Sequence, residues 1–280
     1  MKSAQKILFL TGGLGNVILQ IRFALYIEAK LNIKVKLNCN FVSPYVIENV
    51  IKIFGSDINR RLFRIGEFYL QKRFFLAAMR RLKFWPLYVE PDEDILIEAA
   101  SINKYPFILG YFQSYKYSEE FLIADIQISN AVSNRNLMRI NALTERDLVV
   151  HLRFGDYENA ETKKFHGVLN ESYYRLAIEN FKDRERLILI SNDQEKALDL
   201  FRRVTNQTAE VWSGTDYDTI DDFYFLCFAK NLVIGNSSFS YCAALHTWKK
   251  RNANIVAPKS WFAKKVIDFD YRFPRGWLLV

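Results

Sequence analysis

Short apolar runs alternate with longer segments of helical spacing along this chain. The run at 7–10 reads as a strand and 11–16 as a glycine turn. Over 17–31, Ile18, Ile21, Leu25 and Ala29 share one face, which predicts a helix. A second strand follows at 35–37, completing a strand–loop–helix–strand opening that favours a parallel sheet. Residues 44–91 read as helix-rich and basic, and 110–117 as an aromatic loop. The later half repeats the alternation: strands at 148–152, 187–190, 210–212, 232–234 and 254–256, with helices at 172–181, 194–203, 220–229 and 239–248. A long polar loop spans 153–169. The predicted class is α/β, with two Rossmann-like halves and a boundary within 120–147, dividing the chain as 1–125 and 126–280. Two such units facing each other leave a cleft at the C-terminal ends of their strands, where ligands bind.

Composition narrows the classes. With 280 residues, half of them hydrophobic and 15% aromatic, a sizeable core is available, and disorder is excluded. Cys39, Cys227 and Cys242 are widely spaced, which predicts reduced, buried thiols in a cytoplasmic protein. No span has the roughly 18–20 apolar residues of a membrane helix, and the run at 7–10 is too short for a signal peptide. The net charge of +8 and pI near 9.2 admit three acidic partners: nucleic acid, anionic lipid or a phosphorylated small molecule. Lysines and arginines are scattered and no nucleic-acid module is recognised, so no nucleic-acid partner is expected. The segment 68–85 mixes Lys72, Arg73, Arg80, Arg81 and Lys83 with Phe74, Phe75 and Trp85. It suits either peripheral contact with the inner membrane or a solvated helix face.

Three strand-to-helix turns carry candidate chemistry. In Thr11-Gly12-Gly13-Leu14-Gly15-Asn16, glycines let backbone N–H groups approach an anion at a helix start. A dinucleotide fingerprint would need glycine where Ile18 stands and an acid where Leu37 and Asn38 stand, so the choice is another anion or a plain tight turn. In His151-Leu152-Arg153-Phe154-Gly155-Asp156-Tyr157, a strand end mounts a guanidinium suited to phosphate, with Asp156 to orient it or accept a proton. An exposed Arg–Asp pair is the plainer alternative. In Gly235-Asn236-Ser237-Ser238-Phe239-Ser240, hydroxyls and free amides at a helix start form a phosphate seat, or simply a serine cap. Asp216 and Asp218 could hold a divalent ion or cap a helix, and Asp221 and Asp222 read as acids of a first helical turn.

Taken together and in order, these segments resemble the α-1,2-fucosyltransferase family of inverting glycosyltransferases. The resemblance covers Gly12 to Asn16 with Gln20, then Gly110-Tyr111-Phe112-Gln113-Ser114 with Lys116-Tyr117, then His151 to Tyr157. It continues through Ser172-Tyr173-Tyr174, Ile190-Ser191-Asn192-Asp193, and Asp222 to Ser240. The chain departs from the pattern at Phe154 (usually arginine), Asn192 (usually aspartate), Val17 (usually glutamine) and Tyr241-Cys242-Ala243 (usually Trp-Trp-Gly). The resemblance implies a GT-B fold, with acceptor on the N-terminal side and donor on the C-terminal side. It implies fucosyl transfer from GDP-β-L-fucose to a galactoside hydroxyl of a glycan, such as a lipid-linked O-antigen precursor, without a metal or other cofactor. Arg153 would face the diphosphate, aided by Asn236, Ser237, Ser238, Phe239 and Asp193, with Gly13, Gly15 and Asn16 on the opposite wall. Asp156, then His151, would take the acceptor's proton. The missing second arginine leaves another GDP-sugar donor open, as well as a non-catalytic glycan or nucleotide binder.

Overall fold

A computed structural model describes residues 5–64, 87–91, 96–118, 132–154, 169–213, 219–263 and 269–280. It divides into two compact units, Met1–Asn130 and Ala131–Val280.

The first unit is built on a five-stranded sheet. Its strands are β1 (Gln5–Thr11), β2 (Lys34–Phe41), β3 (Leu62–Phe63), β4 (Leu87–Val89) and β5 (Phe107–Leu109), in spatial order β3-β2-β1-β5-β4. Every pairing is parallel. β1 is buried on both faces, as its unbroken apolar run requires of a central parallel strand. Helix α1 spans Leu14–Leu31, three residues longer at its start than the apolar spacing predicts, so Gly15 and Asn16 lie in its first turn and Gly13 is its N-cap. β2 also runs past the predicted 35–37, because Asn38 donates through Nδ2 to Asn40 Oδ1 at 2.9 Å and the two polar side chains satisfy each other inside the strand. Helix α2 (Pro44–Phe54) follows, with Ser43 accepting from Val46 N–H at 3.4 Å and proline in the first turn. β4 lies inside the stretch expected to be helix-rich, and β5 was not expected; neither lies between two segments of helical spacing, as the short strands predicted at 210–212 and 232–234 do. The β1 end remote from the glycine turn is held by Lys6. Its buried ammonium donates to the carbonyls of Ile102, Asn103 and Tyr105 at 3.1, 2.7 and 2.8 Å, which uses all three of its N–H groups.

The second unit carries β6 (Leu148–Leu152), β7 (Leu187–Ser191), β8 (Ala209–Val211), β9 (Asn231–Val233), β10 (Asn254–Ala257) and β11 (Leu278–Leu279). Their order is β11-β10-β9-β6-β7-β8, again all parallel. Helices α3 (Asn134–Asn141), α4 (Glu171–Glu179), α5 (Gln194–Val204), α6 (Thr219–Phe228) and α7 (Ser238–Arg251) cover the sheet. The predicted elements of this half appear within a few residues, and α3 and β11 are additional. One core cluster joins β6 and β7 to α4 and α5 through Leu148, Val150, Leu152, Tyr174, Ala177, Leu189 and Phe201. Each such large side chain removed from water contributes roughly 1.5–3 kcal/mol. Asp221 is not a spare acid: its carboxylate accepts from Ser133 N–H at 3.1 Å and from Ser133 Oγ at 2.8 Å, tying the start of α3 to α6. Cys39, Cys227 and Cys242 are free thiols, all buried.

Candidate active site

Each sheet has one place where successive connections leave in opposite directions. In the second unit, β6 leads outward through β7 to β8, and the chain then returns to β9 on the other side of β6. Ligands of open α/β sheets bind at the strand ends flanking such a point. The two turns that flank it are those carrying Arg153 and Ser237.

β6 and β9 are in register from Leu148↔Asn231 to Val150↔Val233, so both strands leave the sheet side by side. Leaving β6, His151 is buried at 5% exposure and Arg153 is exposed. Leaving β9, a Cβ on Gly235 would stand 3.5 Å from the His151 carbonyl oxygen, an ordinary van der Waals distance, so the two turns run side by side. The His151 ring lies 5.6 Å from the ring of Phe239, itself 5.5 Å from Phe223. Burial, with the Arg153 charge adding to it, lowers the His151 pKa to about 3. The imidazole is therefore neutral at pH 7, and its Nδ1 is buried without a hydrogen-bond partner. Tyr173 donates its hydroxyl proton to the Ile234 carbonyl, and burial raises its pKa well above the ordinary value.

Ser237 is the N-cap residue of α7, yet its side chain makes no capping hydrogen bond. The first-turn amides of α7 are thus not closed off by that hydroxyl, and they are the donors a helix start offers to an anion. Asn236 donates to the Trp261 carbonyl at 3.3 Å, which fixes the turn before the helix. Ser238 and Phe239 are half-buried in the first turn.

Asp193 occupies a different position. Its carboxylate accepts from Lys196 N–H at 3.1 Å as the N-cap of α5 and pairs with the Lys196 ammonium at 3.5 Å. Its neighbour Asn192 accepts from Phe154 N–H at 2.9 Å and donates to the Phe154 carbonyl at 3.1 Å. Sequence reasoning singled out Phe154 and Asn192 separately as departures; they are partners. The signal that could have found this pairing is their shared place just past the C-terminal ends of two consecutive predicted strands.

In the first unit, the glycine turn and the 110–114 loop adjoin. Buried Gln20 accepts from Thr11 N–H at 2.9 Å and donates to Thr11 Oγ1 at 3.2 Å and to the Gly110 carbonyl at 2.7 Å. Asn16 Oδ1 accepts from Gln113 Nε2 at 3.0 Å. Gly12 needs its freedom, with φ at 87° and the Asn16 side chain folded over it. The Glu90 carboxylate accepts from Phe112 N–H at 2.9 and 3.0 Å and from Tyr111 N–H at 2.5 Å. Phe112 sits in the left-handed region at φ 50°, and its ring stacks on Phe23 with centroids 3.7 Å apart. The Tyr111 ring is left 40% exposed. Gln20 and Glu90 are site-shaping residues whose roles only the fold reveals.

Asp156 and the rest of 155–168, the Asp216 and Asp218 pair, and the basic stretch 68–85 lie outside the described residues.

The sequence model of glycosyl transferase family 11 matches residues 56–279. Over 119 residues the chain is 35% identical to the O-antigen biosynthesis glycosyltransferase WbnK of Escherichia coli, covering 41% of this chain and only 38% of that protein. It is 23% identical over 286 aligned positions to an alpha-1,2-colitosyltransferase of Escherichia coli, covering 97% of each. Among solved structures, the E. coli ADP-heptose LPS heptosyltransferase II matches with a TM-score of 0.50 at 11% identity, over 98% of this chain and 90% of that one. POFUT1 in its apo form matches at 0.50 and 10% identity, over 92% of this chain and 98% of that one. These structural likenesses speak to fold, and they accord with the paired Rossmann-like units of the GT-B type. Because the family match takes in most of the chain, from just after α2 through β11, the protein is a glycosyltransferase and belongs to glycosyl transferase family 11.

Proposed function

We propose that this glycosyltransferase moves L-fucose from GDP-β-L-fucose to a galactoside hydroxyl of a surface-glycan precursor, with inversion and without a metal ion. The observation that supports the donor assignment is that the turn carrying Arg153 and the turn entering α7 leave neighbouring strands at the switch point of the second sheet. A diphosphate there would find a planar guanidinium, the Ser237 hydroxyl and first-turn amides. As the bond from the anomeric carbon to the phosphate oxygen breaks, positive charge builds on the sugar and negative charge on GDP. Donors fixed in advance at that leaving group stabilise the transition state more than the ground state. The acceptor is assigned to the first unit, where Gly13, Gly15, Asn16 and Tyr111 stand at the ends of β1 and β5. Asp156 is assigned the acceptor's proton. His151 is given a supporting role, since a neutral imidazole with a pKa near 3 is a weak base at pH 7. The acceptor is taken to be an O-antigen precursor on a lipid carrier, which would favour peripheral contact with an anionic membrane.

Arg153→Ala should lower kcat with GDP-fucose by roughly 10²–10³-fold, or about 3–4 kcal/mol, the usual cost of removing one transition-state donor. Unchanged kcat would overturn the donor assignment. A second reading keeps the site and changes the sugar to another GDP-linked deoxyhexose. It is favoured by Phe154 in place of arginine and by the colitosyl activity in the name of the relative matching 97% of the chain. Product mass from a panel of GDP-sugars offered with galactoside acceptors separates the two.

A further inference from the structure

The ladder between β6 and β7 ends at Leu152 opposite Ser191. Beyond it the backbone polar groups must find other partners. Asn192 supplies both at once for Phe154: its Oδ1 accepts the N–H at 2.9 Å and its Nδ2 donates to the carbonyl at 3.1 Å. A side-chain amide carries acceptor and donor in one plane, which a carboxylate does not.

The turn that holds Asn192 is itself fixed. Ser213 Oγ accepts from Ser191 N–H at 2.6 Å and donates to the Ser191 carbonyl at 2.7 Å. Ser191 Oγ accepts from Asp193 N–H at 3.1 Å, and the Asp193 carboxylate caps α5. Residues 191–193 therefore form a rigid bracket on β7, and its middle side chain reaches across to the peptide that follows Arg153. Arg153 is exposed on a loop leaving the sheet, so the direction of its guanidinium depends on how that peptide is held.

We infer that Asn192 is a positioning residue: by clasping both backbone groups of Phe154 it aims Arg153 at the anionic leaving group. This rests on the proposed diphosphate role of Arg153. An unclasped loop lets the guanidinium sample many orientations, and the lost order is repaid from binding energy.

The test uses the full chain and GDP as the probe, with dissociation constants from calorimetry and Tm without ligand. Arg153→Ala should weaken GDP binding roughly 30-fold, as expected for a charged hydrogen-bonding partner. Asn192→Ala should weaken it about tenfold with little change in Tm, because the clasp is exposed and each of its bonds adds little stability. Asn192→Asp keeps the acceptor for Phe154 N–H, loses the donor, and should still weaken binding. In the double variant Asn192→Ala should add nothing to Arg153→Ala, since no guanidinium remains to aim. Independent losses that multiply in the double variant would overturn the inference while leaving the role of Arg153 intact, as would wild-type affinity in both Asn192 variants. Wild-type affinity in Arg153→Ala would overturn the donor assignment itself, and this inference with it.

Discussion

A histidine at the end of a buried strand is read most easily as a base, and at His151 the surroundings argue otherwise. Its neighbours are Phe239, the backbone at Gly235 and the charge of Arg153, so the protonated ring is disfavoured and the pKa falls to about 3. The unfolded chain takes up this proton below the ordinary value of 6.5, while the folded chain waits until about pH 3. Folding stability supplied by this site is therefore present at neutral pH and lost as pH falls through that window, by about 2 kcal/mol between pH 7 and pH 5. Urea midpoints should reveal it: His151→Gln should be less sensitive to acid than the wild type over that range. Equal sensitivity would mean that the ring is solvated. From the sequence alone the histidine was visible but its burial was not, because a strand end can face either way.

Elements meet here through side chains that no periodicity predicts. Gln20 sits in the apolar stripe of α1 with no exposure, where helical spacing calls for a hydrophobe. Its three hydrogen bonds fasten β1 and the loop after β5 to the helix. Gln20→Leu should leave Thr11 N–H and the Gly110 carbonyl unpaired, at about 1–3 kcal/mol for each buried group. Gly110→Ala is a sharper case, since a Cβ there would stand 2.5 Å from the Glu90 side chain and 2.7 Å from the Phe112 ring. Both variants should lower Tm by several degrees, at roughly 2–4 °C per kcal/mol in a chain of this size. An unchanged Tm in Gly110→Ala would mean that the loop repacks freely. The long strands and helices were legible as runs and stripes. β3, β4 and β5 were not, because they do not alternate with helical stripes as the equally short β8 and β9 do.

At the scale of the whole molecule, the alternation of strands and helices announced two α/β units before any coordinates, and both sheets are parallel throughout. Strand order was beyond the sequence, since it depends on which side of the first strand each connection takes. That order sets the Arg153 and Ser237 turns on neighbouring strand ends, where the proposed donor site lies. If protein cations and amides carry the charge of the departing nucleotide, no divalent ion is needed there. Activity with GDP-fucose should then survive EDTA unchanged; a loss restored by Mg²⁺ or Mn²⁺ would return Asp216 and Asp218 to consideration. Among the described residues, no helix is long and apolar enough to cross a membrane. The peripheral contact with an anionic surface proposed above would draw on the net charge of +8.

Cys39, Cys227 and Cys242 leave the native surface without a reactive sulfur, since thiolate chemistry requires access as well as ionisation. Ellman's reagent should register almost nothing until denaturant is added, and then three equivalents. One cysteine introduced at Met138, which is 74% exposed, would thus accept a fluorophore or spin label on an otherwise unaltered background. Movements of this enzyme during turnover could be followed from that single reporter.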